Sequence, residues 1–113
     1  MSFNSNGISE IVNSTFELFN YLAYGDGNAG DNDTSLENEI GRNLVYDQVA
    51  YTDYFTITAT IGLGEGNGYD LTEFGLAVDN TGEISSTYVN FPLTKNQNYE
   101  VIIYSTIQFT GLI

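Results

Sequence analysis

At 113 residues the chain can build one modest core but not two, and its 42% hydrophobic content, with nine Tyr and seven Phe, excludes a disordered chain. Fifteen Asp and Glu stand against two basic residues, and the net charge of −13 repels phosphate backbones and anionic lipid, which excludes nucleic acid and membrane surfaces as natural partners. With neither Cys nor His, disulfides, thiol nucleophiles, ordinary zinc sites and the Ser-His triad are excluded too.

The acidity has two readings. One is a soluble, self-repelling surface; the other is a halophilic setting, where ions screen the repulsion. Scarce Lys beside abundant Asn, Ile and Tyr favours the second, since AT-rich coding alone would raise Lys as well. The start MSFNSNGISE has neither a basic region nor an apolar core, and no apolar run approaches membrane-spanning length. The expectation is a soluble chain made in the cytoplasm, forming a single β-sandwich domain over residues 1–113 with residues 1–14 as a lead-in.

In chain order, Ile8, Ile11 and Val12 fall at helical spacing, which predicts one or two turns over residues 7–13. Residues 15–24, TFELFNYLAY, are aromatic and followed by glycine, and predict a strand apolar on both faces. Residues 25–33, GDGNAGDND, are turn formers throughout and predict a loop. Thr34-Ser35-Leu36-Glu37 has the form of a capping box, predicting a short helix over residues 35–40 that ends at Gly41. A strand is expected over residues 43–50.

The plainest strand covers residues 54–63. Phe55, Ile57, Ala59, Ile61 and Leu63 share one face, and a threonine row (Thr56, Thr58, Thr60) shares the other, expected to face water. Residues 69–78 follow, with a parity break that predicts a bulge near Thr72 or Glu73. Asp79-Asn80-Thr81-Gly82 predicts a hairpin pairing residues 76–78 with 83–88. Pro92 marks an edge strand or a strand end. The last strand, over residues 99–109, turns Tyr99, Val101, Ile103, Ile107 and Phe109 inward and Glu100, Gln108 and Thr110 outward, with Ile102 and Tyr104 breaking its polar face. Six or seven strands on short turns, with one or two short helices in the N-terminal half, make a mainly β chain: an antiparallel β-sandwich, jelly-roll- or Ig-like.

Chemistry-bearing patterns are few. The glycines of GLGEGNG lie between two strands and are turn glycines, with Glu65 set to oppose any phosphate. Carboxylate pairs such as Glu37 with Glu39, or Asp70 with Glu73, are not set apart from surface acids, and no enzyme is expected. The loop has more substance as a calcium site: Asp26, Asn28, Asp31, Asp33 and Glu37 crowd oxygen ligands, and Glu37 stands twelfth from Asp26. The register then departs from the twelve-residue calcium loop, because Gly30 is fifth and Asp31 takes the sixth place, where glycine belongs.

Taken in order, YLAYGDGN…DTSLENEIGR, YFTITATIGLGEG, LTEFGLAVDNTG and VNFPLTK resemble blocks of small structural proteins of tailed viruses of bacteria and archaea, over about residues 18–109. The resemblance implies a non-enzymatic virion part: a tail, turret or fibre-base, or capsid-decoration subunit among other virion proteins. It also implies a structural corner of Asp33, Thr34, Leu36, Glu37 and Arg42 between the first two strands, with Glu73 and Gly75 at a bend before DNTG. The family's G-x-G loop sometimes carries proline where this chain has Asn28-Ala29-Gly30-Asp31. Apolar parity breaks at Phe19, Tyr21, Ile102 and Tyr104 point to subunit contacts in a homo-oligomer, a trimer or ring, unless both sheet faces are covered within one subunit. The competing reading is a small calcium- or carbohydrate-binding β-sandwich module.

Overall fold

The computed structural model describes residues 4–30 and 32–108. One helix and seven strands are found among them: α1 (Ser5–Thr15), β1 (Tyr21–Gly25), β2 (Glu39–Leu44), β3 (Asp47–Ala50), β4 (Tyr54–Ile61), β5 (Asp70–Ala77), β6 (Ser86–Thr94) and β7 (Val101–Gln108). They form two antiparallel sheets, a four-stranded one in the order β2-β1-β5-β6 and a three-stranded one in the order β3-β4-β7. The fold is mainly β and sandwich-like.

Helix α1 starts where Asn4 accepts the orphan N–H of Gly7 through Oδ1 at 2.9 Å. It buries Ile8 and Val12 and runs two residues further at each end than the spacing alone predicts. The first strand was expected to start at Thr15, yet the chain is still helical there. Phe16 closes the helix, and its aromatic ring and that of Phe19 pack against the core, so strand β1 begins only at Tyr21.

The core fills the space between the sheets. Leu22, Tyr24, Leu71, Phe74 and Leu76 come from the four-stranded sheet, and Phe55, Ile57, Ala59 and Ile61 from β4, as their alternation foretells. Leu63 lies beyond the end of β4 and is exposed. Thr56 and Thr58 were expected to face water but are buried. They sit on the middle strand with a neighbour on each side, Thr56 paired with Val49 and Thr106, Thr58 with Asp47 and Tyr104. Side chains flanking a short residue across a sheet remove it from solvent.

The strand expected over residues 43–50 is two strands in different sheets. The Val45 N–H bonds to Asn20 O at 2.9 Å, beside β1, while the Tyr46 N–H bonds to Thr58 O at 2.9 Å in β4. The chain therefore changes sheets at that peptide. The bulge falls where parity predicted it, between Leu71 and Glu73. Leu71 pairs with Leu93 and Glu73 with Val89, so Asn90, Phe91 and Pro92 of β6 span what Thr72 alone spans in β5. Strand β6 is an edge strand, as Pro92 requires. Strands β5 and β6 form the expected hairpin, although pairing begins only at Leu76 with Ser86. Of the last strand, Val101, Ile103 and Ile107 point inward, half-buried, while Tyr99 precedes β7 and is exposed. Phe109 and Thr110 lie outside the described residues.

Candidate functional site

The segment between β1 and β2 is where sequence and structure differ most. Residues 35–40 are not helical: they make bends and turns, and β2 is under way at Glu39. The capping-box reading fails because the amides it would supply to a helix start go elsewhere. Glu73, on β5, is fully buried and takes four backbone N–H groups from this segment. Oε2 accepts from Gly27 at 2.9 Å and Asn38 at 2.8 Å, and Oε1 from Ala29 at 3.1 Å and Glu37 at 2.9 Å. Two donors on each oxygen compensate the burial of a carboxylate that, among the described residues, has no cation paired with it.

The grip is reciprocal. Thr72 Oγ1 donates to Gly27 O at 2.6 Å, Thr87 Oγ1 donates to Gly30 O at 2.9 Å, and the Ile84 N–H donates to Thr34 O at 2.8 Å. Under this lid a second, smaller core forms on the outer face of the four-stranded sheet, from Ala23, Ala29, Leu36, Ala77 and Ile84, with Tyr21 against it. Leu36 enters this smaller core, while Thr34 and Glu37 are held beside it by their backbones, all three in the segment between β1 and β2. Arg42 lies on β2. Its guanidinium pairs with Glu39 at 2.7 Å and donates to the carbonyls of Asp79 and Gly82, each at 3.0 Å, tying β2 to the turn after β5.

Among the described residues the expected calcium ligands do not assemble. Asp26 and Asn28 are exposed, with Asp26 Oδ1 accepting from the Asn38 side chain. Asp33 Oδ2 accepts from the Gly30 N–H at 2.7 Å, and Glu37 contributes its backbone to Glu73 while its side chain stays exposed. Asp31 lies outside the described residues. Among the described residues no group of three His, Cys, Asp or Glu is placed to hold a metal ion. The loop that reads as a cation site from its side chains is organised by its amides around an anion that the chain itself supplies.

The carboxylates raised for catalysis are engaged in different ways. Glu73 has its lone pairs filled and no solvent access, Asp70 accepts from Thr94 Oγ1 at 2.7 Å at the surface, and Glu39 is engaged by Arg42. Near the other end of the sheet, Glu65 Oε1 accepts from Asn43 Nδ2 at 3.0 Å and from the Gly62 N–H at 2.7 Å. Burial raises the Tyr24 phenol above its ordinary value, and the nearby Glu65 charge adds to the effect. Lys95 is buried, donating to Asn67 Oδ1 and Asn96 O, each at 2.9 Å, above the ring of Tyr99.

The four residues expected at subunit contacts divide into two kinds. Phe19 stacks on Phe55 at 6.2 Å between centroids and Tyr21 packs on the smaller core, so neither presents the open apolar surface expected of it. Ile102 and Tyr104 are 58% and 64% exposed on the outer face of the three-stranded sheet. Next to them, between the edge strands β6 and β7, runs an open groove of about 630 Å³ lined by Phe74, Leu76, Tyr88, Leu93, Ile103 and Ile107. Tyr88, 65% exposed, was not singled out from the sequence; its signal was an aromatic residue in a strand without charge.

Fold and surface together define the class: a small antiparallel β-sandwich with one acid-pinned corner and one open, uncharged side. No known protein-family model matches the chain, and no curated protein matches it. No helix among the described residues is long and apolar enough to cross a membrane.

Proposed function

We propose that the chain is a non-enzymatic structural subunit of a virus particle, in its tail, turret or fibre-base, or capsid decoration, assembling through protein–protein contacts in a salt-rich medium. The observation that carries this reading is the open side: strands β6 and β7 contain no charged residue in a chain of net charge −13, and they expose Tyr88, Ile102 and Tyr104. An apolar, uncharged side on an otherwise self-repelling surface is what an assembling subunit needs. The ordered resemblance to virion proteins supports the particle setting, and four hydrogen bonds to Glu73 fasten the segment between β1 and β2 onto β5. The test is to purify particles from cells making the chain and quantify it by mass spectrometry. A fixed copy number relative to the main capsid protein supports the reading; absence from washed particles overturns it.

A further inference from the structure

Four strands lie at sheet edges, β2 and β6 in one sheet and β3 and β7 in the other, and only β7 is fit for strand pairing: β2 carries Glu39 and Arg42, and β3 is four residues long and begins with Asp47. Strand β6 carries Pro92, which lacks a donor, and a three-residue bulge, two features that blunt an edge. Strand β7 has neither: all eight of its residues keep unbroken register with β4, from Tyr54 opposite Gln108 to Ile61 opposite Val101. Its sequence VIIYSTIQ holds no charge, proline or glycine, and its other edge is free among the described residues. A long, regular, uncharged edge is a template for another strand.

Charge decides which strand. Of the fifteen acids only Glu100 lies between Ile84 and Gln108. A basic partner would be drawn to the acidic faces, away from this one. A second copy carries the same net charge, and the β6–β7 side is where two copies approach with least repulsion. Antiparallel pairing about a two-fold axis also makes β7 its own complement: with Tyr104 opposite Tyr104, Ile102 meets Thr106 and both exposed rows lie on one face.

We infer that, building on the proposed assembly role, two copies join through β7, merging their three-stranded sheets into one of six strands with Tyr104 at the two-fold axis. This is a closed pair, unlike the trimer or ring expected from sequence, and larger assemblies would add to it through other surfaces.

The experiment is sedimentation of the full chain over a concentration series in molar NaCl, with Tyr104→Glu, Tyr104→Lys and Tyr88→Lys compared after circular dichroism shows each folded. Wild type is expected to form dimers. Each Tyr104 variant alone should associate on the order of a hundredfold more weakly, since like charges meet at the axis. An equal mixture of the two variants should restore dimers, and Tyr88→Lys should leave association intact. Tyr104 variants that dimerise like wild type overturn the inference, as does loss of association in Tyr88→Lys alone. A trimer or ring overturns it by pointing to β6–β7 pairing. A chain that stays monomeric overturns it as well, yet leaves the particle reading standing if the chain is still found in particles at fixed copy number.

Discussion

Gly27 and Glu73 are fitted to each other: the Gly27 N–H reaches Glu73 Oε2 at 2.9 Å, and a Cβ at position 27 would stand 2.7 Å from that oxygen and 2.6 Å from the Glu37 Cβ. Backbone and carboxylate approach this closely only because residue 27 has no side chain. Gly27→Ala is therefore expected to push the loop off the carboxylate and weaken all four hydrogen bonds. A loss of about 2–3 kcal/mol follows from overpacking of this kind. Urea denaturation measures it, and Gly64→Ala, where a Cβ meets open space, serves as the control with little change.

Glu73→Gln tests the pin directly. Glutamine keeps the shape and one acceptor oxygen, but its NH₂ then confronts two N–H donors, either those of Gly27 and Asn38 or those of Ala29 and Glu37. Leaving buried donors unpaired costs about 1–3 kcal/mol each, so a loss of roughly 2–6 kcal/mol is expected. Amide exchange should accelerate at residues 27, 29, 37 and 38 more than in β4. Uniform acceleration through both sheets would mean that Glu73 does not hold this corner in particular.

How much of this was legible in the sequence depends on the range of the interaction. The period-two alternation of Phe55, Ile57, Ala59 and Ile61 marks β4, because burial on one face writes itself into adjacent positions. Pro92 and the parity break at Thr72–Glu73 marked the edge and the bulge for the same local reason. The corner was misread because its partners are distant: the N–H groups of Glu37 and Asn38 bond a carboxylate 36 and 35 residues away. A capping box and a nest for a remote carboxylate begin with the same residues. The one local hint was Glu73 itself, a single acid between Leu71 and Phe74 in the strand DLTEFGLA. The threonine row was misjudged because exposure depends on the neighbouring strands, which a strand's own alternation does not reveal.

Calcium is expected to leave the protein's melting unchanged. The carboxylates of Asp26 and Asp33 are spent on Asn38 and on the Gly30 N–H, and Glu37 keeps its side chain at the surface. A bound ion would stabilise the fold in proportion to its saturation, by about 2.7 kcal/mol at a hundredfold excess over its dissociation constant. Differential scanning calorimetry after chelator treatment, with and without millimolar calcium, should give superimposable traces. A calcium-dependent upward shift would show that the loop gathers its acids around a metal after all.

Alkaline pH should weaken the fold through Tyr24. Its folded-state value lies above the ordinary 10.0, chiefly because burial disfavours the phenolate, with Glu65 adding to it. Below pH 10 the phenol is neutral in both states and the shift costs nothing. Above it the unfolded chain releases the proton while the folded chain keeps it, so stability falls as pH rises towards the folded value, by up to about 1.4 kcal/mol per unit. Tyr24→Phe should flatten the decline between pH 10 and 11, read from urea midpoints at each pH. An unchanged slope would place the alkaline sensitivity in other groups.

Salt should stabilise the chain. Among the described residues the one ion pair is Arg42 with Glu39, so most of the fifteen acids meet other acids across the surface rather than bases. That repulsion is long-ranged in dilute buffer, where the screening length is about 30 Å at 0.01 M, comparable with the 25 Å breadth of the molecule. At about 0.1 M it falls to roughly 10 Å and at 1 M to roughly 3 Å, so most of the relief comes early in a titration. Thermal midpoints are expected to rise steeply up to a few tenths molar and then more slowly, equally in NaCl and KCl. A difference between the two salts would indicate ion binding, and a flat response would mean that the acids are spaced widely enough for solvent alone to screen them.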